Sequence, residues 1–230
     1  MDNEKKIPLI SIIMPCRDER NTVGSCIDEV REYLESQGRS YEIIVVDNCS
    51  TDGSAREATE HSARVVKEDR PGYGFAIRRG IKEATGDFLI IMDCDLTYDP
   101  KDIGPILDLM ERDFDMVIGD RFLGTIDKGA MSLLHRIGIH ALSFIGRIRY
   151  KTDIRDFHCG IRGVKKDTAQ SLKFRTGGME FATEMIEKAC RENLKTGQTP
   201  ANLRKCPKSR KSKLRTFRDG MRHLLFMIKG

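Results

Sequence analysis

The 230-residue chain has no tryptophan, no C-x-x-C pair and no apolar run of about 20 residues. Without such a run, no segment is typical of a membrane-spanning helix. The seven cysteines are an odd number without metal-ligand spacing, which argues against a disulfide framework and a zinc site. The polar N-terminus leads into an apolar stretch containing Pro8 and Pro15, so we expect a first strand there and no signal peptide. These features predict a protein of the reducing cytosol.

The net charge of +5 is unevenly distributed along the chain. From Arg204 onward there are ten lysines and arginines against one acid, Asp219, so this segment carries +9 and the remainder −4. A basic tail on an acidic body indicates an anionic partner, which can be a phosphate, a lipid head group or a nucleic acid. The chain has no basic surface with interleaved aromatic residues of the kind that stacks bases. We therefore expect no nucleic-acid partner.

Strand and helix signals alternate along the first half of the chain. Uniformly apolar segments predict buried strands at residues 9–14, 42–46, 63–67, 88–92 and 115–119. The segments between them have the apolar spacing of helices. This alternation is typical of an α/β domain whose mostly parallel sheet is covered by helices on both faces. Ligands of such sheets bind at the carboxyl ends of the strands.

The second half is less regular. We predict helices over 129–146 and 178–192, a polar loop over 150–163 and a late strand over 201–206. Residues 1–206 are expected to form the main domain, and residues 207–230 a basic loop followed by an amphipathic helix. Three interpretations of that helix stay open: it packs on the body, lies on an anionic membrane surface or contacts a partner.

Two carboxylates, Asp93 and Asp95, follow the buried strand predicted over 88–92. A D-x-D at a strand end can supply one or two ligands to Mg²⁺ or Mn²⁺, and a diphosphate can supply others. The metal would then offset charge on a departing nucleoside diphosphate. The alternative is a pair of solvated turn aspartates, since D-x-D is a common pattern.

Other polar residues stand at strand ends or in glycine-rich turns. Asp47 and Asn48 end the second strand, where a carboxylate can bind a base or ribose, or form an Asx-turn. Gly74 lies in a G-Y-G segment that follows polar residues, which argues against a dinucleotide fingerprint and predicts either a close backbone approach to a ligand or a sharp turn. Arg121 and Arg136 can bind phosphate, or serve as surface or ion-pair residues.

Several stretches together resemble the family 2 glycosyltransferases of the GT-A fold. They are IIMPCRDE at 12–19, EIIVVDNCSTDG at 42–53, residues 71–100 and the D-x-D. Within that family the chain is most similar to dolichyl- and polyprenyl-phosphate sugar synthases. That similarity rests on GDRF at 119–122, LHR at 134–136, DFHCGIR at 156–162, GMEFATEM at 178–185, SKLR at 212–215 and RDGMRH at 218–223.

The resemblance implies a GT-A nucleotide-sugar-binding fold and a role for each matching residue. Pro15, Arg17 and Glu19 would line the nucleotide pocket, and Asp47, with Asn48 beside it, would touch the base or ribose. The remaining roles form three groups. Asp93 and Asp95 would hold the metal and diphosphate, Arg210 and Lys213 would close over the donor, and Arg121 and Arg136 would receive the acceptor phosphate or balance charge, with Asp156 in the loop that faces the reaction centre.

The chain departs from the family pattern at four positions. Asp18 stands where asparagine is usual, Asn48 where a second aspartate is frequent, Tyr73 where lysine is common and Asp120 where serine or asparagine often stands. Each departure can alter donor choice or metal affinity. Many members continue into transmembrane helices, whereas this chain stops at Gly230. A soluble form, a shortened chain and one half of a complex are all compatible with that ending.

The resemblance implies inverting, metal-dependent transfer of a hexose from UDP-glucose or GDP-mannose to a polyprenyl or dolichyl phosphate. A phosphate monoester has a second pKa of about 6, so at neutral pH it attacks without a general base. A hydroxyl acceptor of a glycan or small molecule needs a base, for which Asp156 is the first candidate. Family members with sugar acceptors often carry a Glu-Asp doublet before a helix. The corresponding segment here, residues 178–181, has no such doublet, which favours the phosphate acceptor.

The expected partners follow from this reaction. They are a nucleotide-sugar donor, a polyprenyl-phosphate acceptor and an anionic membrane surface, with the protein peripheral on the cytoplasmic membrane face. A membrane partner subunit and a homo-oligomer both stay open. A further alternative is a binding or scaffold protein that keeps the fold without activity.

Overall fold

The computed structural model describes residues 9–207 and 216–229, so the predicted donor-closing residues Arg210 and Lys213 lie outside the described residues. The structure is built on a seven-stranded sheet in the order β3-β2-β1-β4-β6-β5-β7, with helices flanking it. The strands are β1 Ile10–Cys16, β2 Tyr41–Asp47, β3 Arg64–Lys67, β4 Phe88–Ile91, β5 Met116–Asp120, β6 Arg162–Lys165 and β7 Thr196–Pro200.

The first five strands confirm the predicted strands to within two residues. β1 pairs in parallel with β2 and with β4, and β2 pairs in parallel with β3. Nearly every residue of β1 and β4 is buried, on both faces of the sheet. This burial explains why these strands are uniformly apolar rather than alternating.

The polar loop predicted over 150–163 is confirmed for residues 151–161 and wrong at its end, because Arg162 and Gly163 begin β6, which pairs antiparallel with both β4 and β5. Arg162 and Gly163 interrupt its apolar pattern. The Arg162 guanidinium is nevertheless buried, because it donates to the carbonyls of Phe157, Cys159 and Ala182 at 2.5–2.8 Å. Gly163 has no room for a side chain, since a Cβ there would lie 2.4 Å from Ile106 Cγ2.

The late strand was predicted over the wrong residues. β7 has the polar sequence TGQTP and pairs in parallel with β5. Residues 201–206 form no strand, although Leu203 makes isolated bridges to Tyr98 and Ile126. β7 is held by its pairing with β5 at the edge of the sheet and not by apolar side chains. Its sequence therefore lacks the apolar pattern from which a strand can be predicted.

Eight α-helices lie among the described residues. They are α1 Val23–Ser36, α2 Ser54–Glu60, α3 Tyr73–Glu83, α4 Ile103–Glu111, α5 Leu133–Tyr150, α6 Lys166–Ser171, α7 Phe181–Arg191 and α8 Thr216–Lys229. A 3₁₀ turn, Pro100–Asp102, precedes α4, and the Asp99 side chain caps it by accepting from the Lys101 amide at 3.0 Å. In this described part of the chain, no helix is long and apolar enough to cross a membrane.

α8 packs against α5 and α7, so one side of the predicted amphipathic helix covers the body of the protein. His223 is buried there, with its Nδ1 2.7 Å from Thr183 Oγ1 and its ring edge-on to the His158 ring at 4.2 Å. The Arg222 guanidinium binds the Glu180 carboxylate at 2.9–3.0 Å. The interpretation in which the helix packs on the body therefore holds for this side of α8.

Burial of His223 makes the stability of this packing depend on pH. Burial lowers the pKa of His223 to about 4, and it also lowers the pKa of His158, whose ring nitrogens lack a hydrogen-bond partner among the described residues. In the unfolded chain a histidine titrates near 6.5, so below that pH the unfolded state binds the proton more tightly. The part of the stability that depends on neutral His223 is therefore fully present above about pH 6.5 and is lost as the pH falls toward 4.

We predict that the free energy of unfolding decreases between pH 6.5 and 4, with His223 contributing at most about 3 kcal/mol. Chemical denaturation across this range measures it. His223→Gln keeps a hydrogen-bonding group for Thr183 and removes the titration, so its decrease should be smaller. Identical pH dependence in both proteins would contradict the prediction.

Candidate active site

The D-x-D lies where β4 leaves the sheet. The Met92 amide still donates to the Ile13 carbonyl at 3.0 Å, and Asp93 follows directly. Asp93 is partly buried and Asp95 is buried. Asp47 is the last residue of β2 and pairs with Cys16 of β1, the strand that lies between β2 and β4. The structure thus brings the predicted metal residues and the predicted base or ribose residue to the carboxyl edge of one sheet.

The turn that carries the two aspartates is held from behind by β1 and α1. The Cys94 thiol donates to the Pro15 carbonyl at 3.3 Å, and Thr22 Oγ1 donates to the Cys94 carbonyl at 2.9 Å. The Leu96 amide donates to Cys26 Sγ at 3.2 Å. Because the cysteine between the aspartates points into this packing, the turn has a fixed backbone on which both carboxylates are carried.

Gly160 and Tyr73 lie beside Asp93; the sequence marked Tyr73 as a departure that can alter metal affinity, but it did not predict the position of Gly160. Gly160 faces the carboxylate so closely that a Cβ there would lie 2.3 Å from Asp93 Oδ2. The Gly160 amide donates to the Tyr98 hydroxyl at 2.7 Å. The Tyr73 side chain lies close to Asp93, and burial together with the Asp93 charge raises the pKa of Tyr73 well above its usual value. The residue that departs from the usual lysine therefore contacts the first aspartate of the D-x-D.

The loops that follow β1 and β2 bind each other. The Asp18 carboxylate accepts from the Thr51 amide at 2.7 Å, and the Asp18 amide donates to Ser50 Oγ at 3.0 Å. The Glu19 amide donates to Ser54 Oγ at 2.8 Å. Arg17 is exposed at the start of this joined pair of loops, whereas Glu19 is buried. The predicted nucleotide-binding residues thus lie at the carboxyl edge of the sheet, where hydrogen bonds hold the two loops together.

Asn48 connects the end of β2 to residues 68–72. Its side-chain amide donates to the carbonyls of Glu68 and Arg70 at 3.0 and 2.8 Å, and its side-chain oxygen accepts from the Gly72 amide at 2.7 Å. A carboxylate cannot donate these two bonds. The departure from aspartate at this position is therefore explained by the loop that Asn48 holds. Its predicted role in nucleotide-sugar binding stays a prediction.

Gly74 packs against protein backbone. Its amide donates to the Gly177 carbonyl at 3.1 Å, and a Cβ would lie 2.7 Å from the Thr176 carbonyl oxygen. The close approach predicted for this glycine thus occurs toward residues 176–177, and its approach to a ligand stays a prediction. These contacts hold the start of α3, and with it Tyr73, against the loop before α7.

Arg121 and Asp156 form a buried bidentate ion pair. Arg121 Nε lies 2.6 Å from Asp156 Oδ2 and Nη2 lies 2.8 Å from Oδ1. Asp156 is completely buried and Arg121 nearly so. Burial alone would raise the pKa of Asp156, but the charge and hydrogen bonds of Arg121 outweigh it and lower that pKa. The nearby Asp120 has a raised pKa, caused first by burial.

Arg136 is exposed in the first turn of α5. Its guanidinium lies 5.7 Å from the centre of the Phe122 ring, which stacks on His140 at 4.0 Å. In the same turn, burial and the charge of Arg121 lower the pKa of His135. The two predicted acceptor arginines therefore differ: Arg121 is committed to Asp156, and Arg136 faces solvent.

The donor set at the D-x-D fits a hard cation that keeps water or substrate ligands. In residues 9–207 and 216–229, no three histidine, cysteine, aspartate or glutamate side chains form a group able to hold a metal. Two aspartates at one strand end supply oxygen ligands of the kind that Mg²⁺ and Mn²⁺ prefer, and fewer than these ions need. Such a site is completed by phosphate oxygens and water.

Comparison with known proteins gives a match to the family described as glycosyl transferase family 2 over residues 11–172. The low-salt glycan biosynthesis hexosyltransferase Agl6 of Haloferax volcanii is 32% identical over 223 residues, covering 96% of this chain and 53% of that protein. The dolichol-phosphate mannosyltransferase of Pyrococcus furiosus is 26% identical, covering 78% of this chain and 52% of that protein. The chain thus spans about half the length of these two relatives.

Among solved structures, the fold is similar to glucosyl-3-phosphoglycerate synthase from Mycobacterium tuberculosis in complex with Mn²⁺, UDP and phosphoglyceric acid. The TM-score is 0.75 at 19% identity, covering 96% of this chain and 78% of that one. This likeness is one of fold, and it confirms the predicted GT-A architecture. The match over residues 11–172 and the 32% identity to Agl6 show that the chain belongs to glycosyl transferase family 2.

Proposed function

We propose that this chain is an inverting glycosyltransferase that moves a hexose from a nucleotide sugar, UDP-glucose or GDP-mannose, to a polyprenyl or dolichyl phosphate. The observation that carries the proposal is the D-x-D at the carboxyl edge of the sheet, on the same edge as Asp47 and the hydrogen-bonded loops after β1 and β2. Family membership supports the reaction type. The names of the relatives Agl6, a hexosyltransferase, and dolichol-phosphate mannosyltransferase support the two substrate classes.

In the proposed site, Asp93 and Asp95 hold Mg²⁺ or Mn²⁺ and the donor diphosphate. The cation, when bound, would offset the negative charge of the leaving nucleoside diphosphate. Asp95 is oriented by Thr97, whose amide donates to Asp95 Oδ1 at 3.1 Å and whose hydroxyl donates to the same oxygen. Asp93 is confined by the close approach of Gly160, with Tyr73 beside it. The Mn²⁺ in the complex of the structural neighbour agrees with this choice of metal.

On the donor side we assign Pro15, Arg17, Glu19, Asp47 and Asn48 to the nucleotide. They lie at the ends of β1 and β2 or in the loops that directly follow them. Ligands of parallel sheets bind at this edge. We further propose that Gly74 lets the backbone approach the donor, and that Arg210 and Lys213 close over its diphosphate.

The state of Asp156 favours a phosphate acceptor over a hydroxyl acceptor. A general base works best when its pKa lies near the working pH and it can reach the proton that it removes. Asp156 has a lowered pKa, is completely buried and is bound on both oxygens by Arg121. A phosphate nucleophile needs no base, because its own oxygen is already charged at neutral pH. In this proposal Arg136 receives the acceptor phosphate and Arg121 balances the Asp156 charge.

The same proposal sets the cellular location. A polyprenyl phosphate is held in a membrane by its hydrocarbon chain, so its transferase must work at that surface. We propose that the protein acts peripherally on the cytoplasmic membrane face, alone, as a homo-oligomer or with a membrane partner subunit. The charge of +9 from Arg204 onward supports contact with anionic lipids.

We predict that Asp156→Asn lowers the free energy of unfolding by about 3–5 kcal/mol, because it leaves the buried Arg121 charge unpaired. Asp113→Asn is the matched control. Asp113 pairs with Lys165 at the protein surface, where water screens the charges, so its loss should cost far less. Urea denaturation measures both. An equally small effect of both substitutions would contradict the structural assignment of Asp156.

The proposed function is tested by incubating the purified chain with each nucleotide sugar, Mn²⁺ or Mg²⁺, and a short polyprenyl phosphate in detergent. We expect one sugar to appear on the polyprenyl phosphate and none on saccharides or phosphoglyceric acid. Asp93→Asn and Asp95→Asn should each abolish turnover with the fold intact, whereas Asp167→Asn, an exposed position on α6, should leave it unchanged. Transfer to a saccharide but not to the polyprenyl phosphate would overturn the acceptor. Full activity of both aspartate variants would overturn the metal assignment.

A further inference from the structure

One side of α5 presents large apolar side chains to solvent. Six of them are exposed by 40–74%: Leu133, Leu134, Ile137, Phe144, Ile145 and Ile148. At 3.6 residues per turn these positions fall within an arc of about 120°, and the stripe is roughly 22 Å long. The buried residues Ile139, Ser143 and Gly146 lie on the opposite side, against the body of the protein. α5 is thus amphipathic with its second apolar side uncovered.

α8 lies alongside α5 and continues this uncovered surface. A Cβ on Gly220 would contact Leu142 at 3.9 Å, and Arg149 Nε donates to the Met227 carbonyl at 3.4 Å. In both contacts the α8 residue stands 78 positions after its α5 partner in the sequence, so the two helices run parallel to each other. α8 buries His223 and Met227 and leaves exposed apolar side chains at a helical spacing. These are Met221, Leu225 and Ile228.

The charges that α5 itself carries are all positive. α5 contains no aspartate or glutamate and carries three arginines, Arg136, Arg147 and Arg149, all exposed. At 100° per residue, Arg136 and Arg147 flank one border of the apolar arc and Arg149 the other. At the C-terminal end of α5, Arg147 and Lys151 line an open pocket together with Phe144, Ile148, Thr152 and the acid Asp153, so this end of the surface carries two cations against one acid. An apolar stripe with a basic border is the pattern of a helix that lies in a membrane interface.

We propose that the exposed faces of α5 and α8 together form the surface that docks the protein on an anionic lipid bilayer. The inference rests on the proposed function, because it places the bilayer beside the acceptor site. Arg136, the proposed phosphate-binding residue, is in the same helical turn as Leu134 and Ile137. A prenyl chain could therefore stay in the bilayer while its phosphate reaches the arginine. We expect α5 to make most of the contact with the bilayer and α8 the smaller part.

The charge pattern argues for lipid rather than for a second copy of the chain. A symmetric dimer through this face would bring the arginines of one α5 near those of the other, and no acid on α5 would compensate them. Phosphate head groups, in contrast, complement the basic border while the acyl region covers the apolar stripe. The adjacent segment with its charge of +9 adds attraction of the same sign.

The test is flotation of the full chain with vesicles, without nucleotide sugar or acceptor. The vesicles contain either phosphatidylcholine alone or phosphatidylcholine mixed with phosphatidylglycerol. We expect binding to the anionic vesicles, and a loss of about tenfold or more in Leu134→Glu with Ile148→Glu. The control carries the same change of charge on exposed positions of α1 and α6, Ser25→Glu with Gln170→Glu, and should lose far less.

A second pair of variants separates the basic border from the apolar stripe. Arg147→Gln with Lys151→Gln should reduce the preference for anionic over neutral vesicles, and added salt should reduce it further in the wild type. No flotation of the wild type, or equal flotation of the stripe and control variants, would overturn the proposal. So would a stable dimer in solution that Leu134→Glu dissociates, since the face would then join two copies.

The outcome is distinguishable from that of the proposed function. Transfer to a short polyprenyl phosphate in detergent does not require a bilayer, so the stripe variant should keep it. A chain that floats but transfers no sugar would contradict the proposed function and leave the docking surface standing. A chain that transfers in detergent but does not float would do the reverse.

Discussion

The buried ion pair between Arg121 and Asp156 is the interaction on which the second half of the structure depends. It joins the end of β5 to the loop that leads into β6, and both partners are almost completely removed from solvent. Removal of either partner would leave an uncompensated buried charge. Three and four residues after Asp156, the same loop reaches Cys159 and Gly160, and it thereby sets Gly160 against Asp93.

This constraint separates two kinds of charge in the site. The negative charge of Asp156 is compensated by Arg121, which makes this carboxylate unsuited to act as a base. Asp93 and Asp95, in contrast, lie at the sheet edge where a diphosphate would bind. Of the two arginines proposed for the acceptor phosphate, Arg136 is the exposed one, at the start of the helix with the exposed apolar stripe. In the proposed function, donor chemistry would therefore take place at the end of the parallel strands and acceptor delivery along α5.

Much of this arrangement could be predicted from sequence, because buried parallel strands are uniformly apolar and their ends carry the polar motifs. The strand β6 could not, since Arg162 and Gly163 break the pattern and are accommodated only by carbonyls and by close packing. The contact of Gly160 with Asp93 joins distant segments, and no local pattern reports it. Amphipathicity predicted α8, but not which side is covered, because the covered side contains the polar residue His223.

The central claim is that Asp93 and Asp95 hold a metal with the donor diphosphate, and calorimetric titration of Mn²⁺ in the presence of UDP tests it most directly. Gly160→Ala places a methyl group where Asp93 Oδ2 now lies, whereas Gly138→Ala on α5 meets no atom within 4 Å. We expect wild type and Gly138→Ala to bind Mn²⁺ equally and Gly160→Ala to bind it about tenfold or more weakly. Equal affinity in all three proteins, or no binding by the wild type, would contradict the account.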